Sequence, residues 1–487
     1  MRHPGNDRTP PDLEHAPGPV ILADLKLSVV TPMFGGGVEP GHIDEDNLIR
    51  PSAIRGHLRF WWRACNAARF TSLDALHEEE RALWGSAAKD NDPTTGPAVI
   101  GIRVLDIVDG ERFTYQLPQR LWRKENDNAH NELGPGYALF PFTPQTNPPR
   151  GALDGMVGIS FRLQLTVASH AGKRVEWPNH DQCRDAAGQA LWAWIAFGGV
   201  GSRTRRGCGT LLCEKNGDDL PEDRLGKNQL GADRFKPSGD DVGQWLQTRL
   251  SDPTYVAAPV ARHITSVSML AGCRIALGPT AVRLIPAWKA AIQPMQDFLQ
   301  GEGIRRNRPY QNRNRPGQSY WPEVGAARAI LNAPSGNDDF DDAYTKLPLA
   351  DATGRQFPRA DLGLPRLIKV ASENSAPVAT VERDRVGFTR MASPIILKAL
   401  SVSTTKAVPI ALLLNAPHLW DPGTPGLKLK GPGVPGEHLD PHPLNEPDNR
   451  PTWPRTRPRN VSDADVESAR DAFMNFVASR NGWGRIR

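Results

Sequence analysis

The chain has 487 residues, 23% of them charged and 39% hydrophobic, with a formal net charge of +5. That length allows two or three domains with cores of their own, and the mild positive charge permits an anionic partner without demanding one. Five scattered cysteines (Cys65, Cys183, Cys208, Cys213, Cys273) with no CxxC spacing, a polar, proline-rich start and no run of ~18 to 20 apolar residues exclude a disulfide framework, a zinc ribbon, a signal peptide and a membrane span, so a cytoplasmic protein without cofactor or metal is expected.

Residues 1–19 are expected to form a disordered lead-in. Ile21, Ala23, Leu25, Leu27 and Val29 then alternate with Asp24, Lys26 and Ser28, the period of a half-buried strand. The segment from Thr31 to Gly37 (TPMFGGG) breaks the strand, and an acidic loop follows over 42–47. Pro51 suits the first turn of a helix. Ile54, Leu58, Trp61, Cys65 and Ala68 follow at helical steps, giving one apolar stripe. An apolar extended run covers 99–108, and 110–150 read as turns and short hairpins. Val157, Ile159, Phe161, Leu163 and Leu165 predict a second clear strand. A helix over 181–197 and a short strand over 209–213 close the unit. Strand–helix–strand twice over is the split βαβ pattern of a ferredoxin-like domain, placed at 20–215.

Residues 216–258 are polar and turn-rich, and are expected to be a linker or insertion. A second, looser ferredoxin-like domain is expected over 259–487. It comprises strands at 264–270 and 273–277, a helix at 288–300, strands at 388–400 and 408–415, and a C-terminal helix over 462–479. A basic, turn-rich segment interrupts it at 304–321, and a stretch dense in Pro and Gly at 416–460 is expected to be irregular. The fold class expected is α+β: two ferredoxin-like, RRM-like domains with long irregular insertions.

Several groups of residues bear on chemistry. Arg55, Arg59 and Arg63 lie at i, i+4 and i+8 on one helix face, with Arg50 just upstream. Like charges at that spacing repel by roughly 0.2–0.5 kcal/mol per pair. An anion lying along the row would offset the repulsion, with Trp62 beside it for stacking or packing. Pairing with Glu78, Glu79 and Glu80 would offset it equally well. Gly35, Gly36 and Gly37 follow a strand, where bare backbone N–H groups can approach an anion, or simply turn the chain.

The segment from Gly198 to Gly209 (GGVGSRTRRGCG) is more specific. It sets Gly198, Gly199, Gly201, Gly207 and Gly209 among Arg203, Arg205 and Arg206, directly after a helix. Flexible backbone with guanidinium groups suits contact with phosphate and ribose, which positions RNA without reading its sequence. No Gly-Lys-Ser/Thr ends it as in a P-loop, and it follows a helix where a dinucleotide fingerprint precedes one. Gly431, Gly433 and Gly436 match GxGxxG, but Pro432 and Pro435 fill the gaps without a strand–helix context. Arg305, Arg306, Arg308, Arg313 and Arg315 interleave with Tyr310, Tyr320 and Trp321. This is either a single-strand contact or a solvated loop. No GxSxG is present. His42, His57 and His263 are general-base candidates in isolation, and Asp44, Glu45 and Asp46 form an acidic cluster that reads as a solvated loop.

TPMFGGG, IRPSAIRGHLRFWWRA and GGVGSRTRRGCGTL resemble the RAMP superfamily of CRISPR proteins, and within it the subunit-one group of the type III-B Cmr module. SYWPE (319–323), FPRADLGLP (357–365) and RMASPIILKAL (390–400) extend the resemblance over about residues 20–415. It implies two RAMP ferredoxin-like domains in a non-catalytic subunit of an antiviral effector complex. Its partners would be the guide RNA (crRNA), target single-stranded RNA and other Cmr/RAMP subunits. The glycine segments and the arginine row carry over as RNA-binding. Target cutting belongs to a different subunit of that complex, so no catalytic residue transfers. The alternative is a RAMP-type endoribonuclease processing guide precursors, with His42 or His57 as base. The glycine loop lies mid-chain here, whereas the processing enzymes carry it near the C-terminus. As exposed loop residues, Arg203, Arg205 and Arg206 are expected to matter for RNA and little for stability, and Trp61 the reverse.

Overall fold

The computed structural model describes residues 19–37, 39, 41–87, 96–115, 135–146, 149–168, 178–217, 225–237, 241–279, 282–300, 323, 327, 357–369, 378–385, 389–422, 424, 426–431, 434–439 and 468–487. The expected lead-in, apart from Pro19, and the basic segment at 304–321 lie outside the described residues.

The alternating run at the start becomes β1 (Val20–Val29), and Pro51 opens α1 (Pro51–Asn66) at its first turn. The predicted stripe of Ile54, Leu58, Trp61 and Cys65 is buried. Next come α2 (Leu73–Trp84), β2 (Ile100–Val108), β3 (Glu111–Thr114), the short α3 (Gly136–Leu139), the two-residue strands β4 (Gln145–Thr146) and β5 (Pro149–Arg150), β6 (Asp154–Val157) and β7 (Ser160–Val167). The helix α4 (His180–Phe197) begins at a capping box. Asn179 Oδ1 accepts the Gln182 N–H at 3.0 Å, and Gln182 Oε1 accepts the Asn179 N–H at 2.8 Å. The strands β8 (Leu211–Asn216) and β9 (Leu225–Leu230) complete a sheet ordered β2–β7–β1–β8, antiparallel throughout, with β9 added parallel to β1.

β1 is central, and its polar side is only partly solvated: Lys26 stays half-exposed beside Glu214 at 3.3 Å. Asp24 is buried, accepting two hydrogen bonds from Arg162 at 2.7 and 2.9 Å and one from Gln164 at 2.9 Å.

The second half supplies α5 (Val242–Ser251), β10 (Met269–Leu277), β11 (Val282–Arg283), α6 (Leu284–Gln300), β12 (Arg366–Lys369), β13 (Val378–Arg383), β14 (Ile395–Ser401), β15 (Lys406–Asn415), β16 (Leu427–Gly431), β17 (Val434–Leu439), α7 (Ala469–Ala478) and β18 (Gly484–Arg485). One sheet runs β11–β15–β10–β18 with β14 on the flank of β15, and a smaller one runs β12–β13–β16–β17. The succession β10–α6–β14–β15–α7–β18, with β10 paired to β15, repeats β1–α1–β2–β7–α4–β8, with β1 paired to β7.

The layers follow from which faces are apolar. From Ala186 onward α4 is apolar nearly all round (ALWAWIAF at its end) and is buried on all sides. With α1 it fills the space between the two large sheets. One continuous cluster joins Leu25 and Leu163 through Leu58 and Trp194 to Ile275, Ile396 and Leu412. The opposite face of the second sheet (Ala276, Leu397, Leu413) packs on Trp288 of α6 and Phe473 of α7. The two large sheets therefore share a core.

Residues 216–258, expected as a polar, turn-rich linker or insertion, contain ordered elements. β9 joins the first sheet, and Val242, Trp245, Leu246 and Leu250 of α5 enter the shared core. Their helical spacing is sparse among polar neighbours, which hides it. The expected irregular stretch at 416–460 holds the β16–β17 hairpin, whose Lys, Gly and Pro content masks a strand pattern, while 440–460 lie outside the described residues. No helix among the described residues is long and apolar enough to cross a membrane.

Candidate nucleic-acid interface

The Gly198–Gly209 segment leaves the C-terminus of α4 and runs into the seam between the two large sheets. Its start is closely packed. Side chains at Gly198 and Gly199 would strike Trp61 Nε1 and Gly209 O respectively, each at 2.6 Å. Trp194 Nε1 donates to Gly199 O at 3.0 Å. Thr31, just past β1, donates through Oγ1 to Gly207 O at 2.7 Å and accepts the Thr210 N–H at 2.8 Å. Gly209 has φ +61, and a Cβ there would lie 1.9 Å from Val200 O, so only glycine fits. Arg203 adopts a left-handed φ of +56, uncommon for a bulky side chain.

The structure brings the first glycine triplet to this loop. Ser202 N donates to Phe34 O at 2.6 Å, and Gly35 abuts Ser202. A side chain at Gly201 would meet Met33 and Phe34 O. Gly36, at φ +109, has nothing within 4 Å of a would-be Cβ, leaving its backbone open to a ligand. Gly37 N closes the turn on His42 O at 2.9 Å.

Arg203, Arg205 and Arg206 are half-buried rather than exposed, and each reaches protein backbone. Arg203 Nε donates to Ala138 O at 2.9 Å, Arg205 to Ser393 O, and Arg206 Nη1 to Ile395 O at 3.4 Å. Arg205 also lies over the Phe60 ring at 5.3 Å, and Trp288 Nε1 donates to Arg206 O at 2.7 Å. The loop is thus a bolt between the two halves of the chain, which corrects the expectation that its arginines are structurally idle.

Burial, with repulsion from Arg206, lowers Arg205 to about 10. Burial likewise lowers Arg203 and Arg206. Arg366 of β12 joins them, lowered to about 10 by burial and then by repulsion from Arg359, with Arg206 adding to it. Glu323 opposes that shift, but it is already held by the Arg359 N–H at 2.7 Å and by the Arg359 guanidinium. Cations crowded in a partly desolvated seam favour an anion among them.

The arginine row lies on another side of α1. Buried Glu80 of α2 accepts from Arg59 Nε at 2.6 Å and from Arg63. Arg55 is exposed, and Arg50, in extended conformation, precedes α1 without capping it. Trp62 is buried and packs near Phe70, so it has no face for a base. The row and the loop are therefore not one continuous surface on the helix.

His42 is exposed 3.8 Å from Glu39, whereas His57 stacks toward Trp194 with burial lowering its pKa. Asp44 accepts the Asn47 N–H at 3.1 Å and Glu45 pairs with Arg112. Among the described residues no three His, Cys, Asp or Glu side chains are grouped to hold a metal. All five cysteines are buried free thiols.

Sequence reasoning missed Arg366 and Lys398. Lys398 of β14 is fully buried, with Nζ donating to Ile195 O at 3.2 Å and to Gly198 O at 2.9 Å, the carbonyl end of α4. The lone Lys inside the apolar run IILKAL was its signal. Arg366 follows directly on the FPRADLGLP motif but has no periodicity to mark it.

The family model described as the RAMP superfamily matches residues 26–212, from within β1 to the start of β8. That span includes the whole glycine–arginine loop, and over it the chain is similar to the RAMP superfamily. No curated protein matches it. Among solved structures, Cmr1 from Pyrococcus furiosus in its apo form is similar at 14% identity and a TM-score of 0.39, over 95% of this chain and 98% of that one. A chain of the type III-B Cmr-beta complex bound to cognate target RNA is similar at 13% identity and a TM-score of 0.40, over 81% of this chain and 94% of that one.

Proposed function

We propose that the protein is a non-catalytic RNA-binding subunit of a type III-B CRISPR effector complex, built from two ferredoxin-like domains. The observation that carries the reading is the crowding of Arg203, Arg205, Arg206 and Arg366 at the domain seam, beside the open backbone of Gly36. Each of these guanidiniums spends one donor on backbone oxygen, Arg366 Nε on Arg359 O at 2.6 Å, and keeps others for phosphate. Phe140 is 64% exposed two residues beyond the Ala138 carbonyl that holds Arg203, and offers a ring for an unpaired base. The RAMP match over 26–212 and the subunit-one motifs support the same reading. Guide RNA and target single-stranded RNA are the ligands, and other Cmr subunits complete the groove.

Purified protein is expected to bind single-stranded RNA with little sequence preference and to leave repeat-containing RNA uncut. Preference for duplex DNA, or specific cleavage that His57→Ala or His42→Ala abolishes, would overturn the proposal.

A further inference from the structure

A cleft of about 500 Å³ opens beside α1, and no residue of the glycine–arginine loop lines it. Arg55 and Arg59 form one wall, and the turn after α2 forms the other, with Trp84, Gly85 and Ser86 facing Gly96, Pro97 and Ala98. The two flanks of this wall, 84–86 and 96–98, are held together. Ser86 N donates to Gly96 O at 2.9 Å, and a side chain at Gly85 would lie 2.7 Å from Ala98 N.

Among the described residues, the polar side chains lining the cleft are donors: two guanidiniums, an indole N–H and a hydroxyl, with no carboxylate among them. Two of these donors have no partner, since Trp84 Nε1 and Ser86 Oγ are both buried without a hydrogen bond. Buried polar groups in folded proteins are seldom left unpaired, and those that are need an explanation. The local charge points the same way. Glu80 is one carboxylate shared by Arg59 and Arg63, and Arg55 adds a third guanidinium. A pocket of donors with excess positive charge matches an anion rich in acceptor oxygens.

We propose that this cleft is a phosphate site, supplied by the backbone of an RNA strand as a second contact beyond the seam. The source of the phosphate rests on the RNA-binding reading; the pocket chemistry does not.

The test uses the full chain, with inorganic phosphate and then single-stranded RNA as probes. Phosphate should raise the thermal midpoint relative to chloride at equal ionic strength, and Ser86→Asp, which places a carboxylate in the cleft, should abolish that rise. Trp84→Phe, keeping the ring without the N–H, should reduce it. Arg55→Gln, at an exposed position, should fold normally. It should weaken RNA binding roughly tenfold and lower the salt slope by about 0.7, the share of one phosphate on a single strand. A wild-type protein indifferent to phosphate, or a rise that survives Ser86→Asp, overturns the site. If RNA binding is intact but Arg55→Gln leaves affinity and slope unchanged, the RNA source is wrong while the seam reading stands. If wild type binds no RNA yet shows the phosphate effect, the functional reading fails and the cleft serves a free phosphate ester.

Discussion

Burying an ammonium with only carbonyl oxygens for company is costly, and Lys398 shows how the fold tolerates it. Alternation along β14 turns it, with Ile396 and Leu400, toward α4, where it meets the oxygens of Ile195 and Gly198. Burial lowers its pKa from 10.5 to about 7. The unfolded chain therefore holds a proton that the folded protein lacks between those values, and stability must rise with pH across that window, by up to about 1.4 kcal/mol per unit. Below pH 7 both states are protonated and the contribution is lost. Lys398→Met should flatten this rise in urea melts and be less stable than wild type near pH 9.5, where two carbonyls lose their donor, with the gap narrowing toward pH 7. A gap independent of pH would contradict the assignment. Trp61 is simpler, being buried beside Phe197 at a ring separation of 5.9 Å, and Trp61→Ala should cost ~3 to 5 kcal/mol.

At the scale of the element, α1 and the glycine–arginine loop were legible as elements, though not in how they are joined. The stripe of Ile54, Leu58, Trp61 and Cys65 is a local periodicity, and the structure buries it as expected. Whether Arg59 and Arg63 face RNA or Glu80 depends on a residue in another helix, which spacing alone cannot decide. Glu80→Gln should destabilise the protein by about 2 kcal/mol, because charged hydrogen bonds are lost and two like charges are left at i, i+4. Chemical denaturation of that variant at low and high salt measures the effect, and an unchanged midpoint would show that the pair is idle. The loop arginines carry a similar lesson. Their motif suggested RNA, but their anchoring to Ala138, Ser393 and Ile395 comes from long-range packing between the two halves of the chain that no local pattern reveals.

At the scale of the molecule, the duplicated strand–helix order was visible because both copies keep strong strands and a long helix. The shared core was not. α4 reads as one apolar helix whether it covers one sheet or two, and α5 has only four apolar residues to announce it. Since α1 and α4 pack against both large sheets, the two halves should unfold together. Calorimetry should show one transition whose van't Hoff and calorimetric enthalpies agree, and two separable transitions would contradict the shared core.

The salt dependence of single-stranded RNA affinity, compared between wild type and an Arg203→Gln, Arg366→Gln variant checked for folding, decides whether the seam arginines hold RNA. If the guanidinium crowd at the seam grips RNA backbone, wild-type affinity falls steeply with salt, and the variant binds more weakly with a slope reduced by about 0.7 for each phosphate it no longer neutralises. A folded variant that keeps wild-type affinity and slope would show that the seam arginines hold only the protein together.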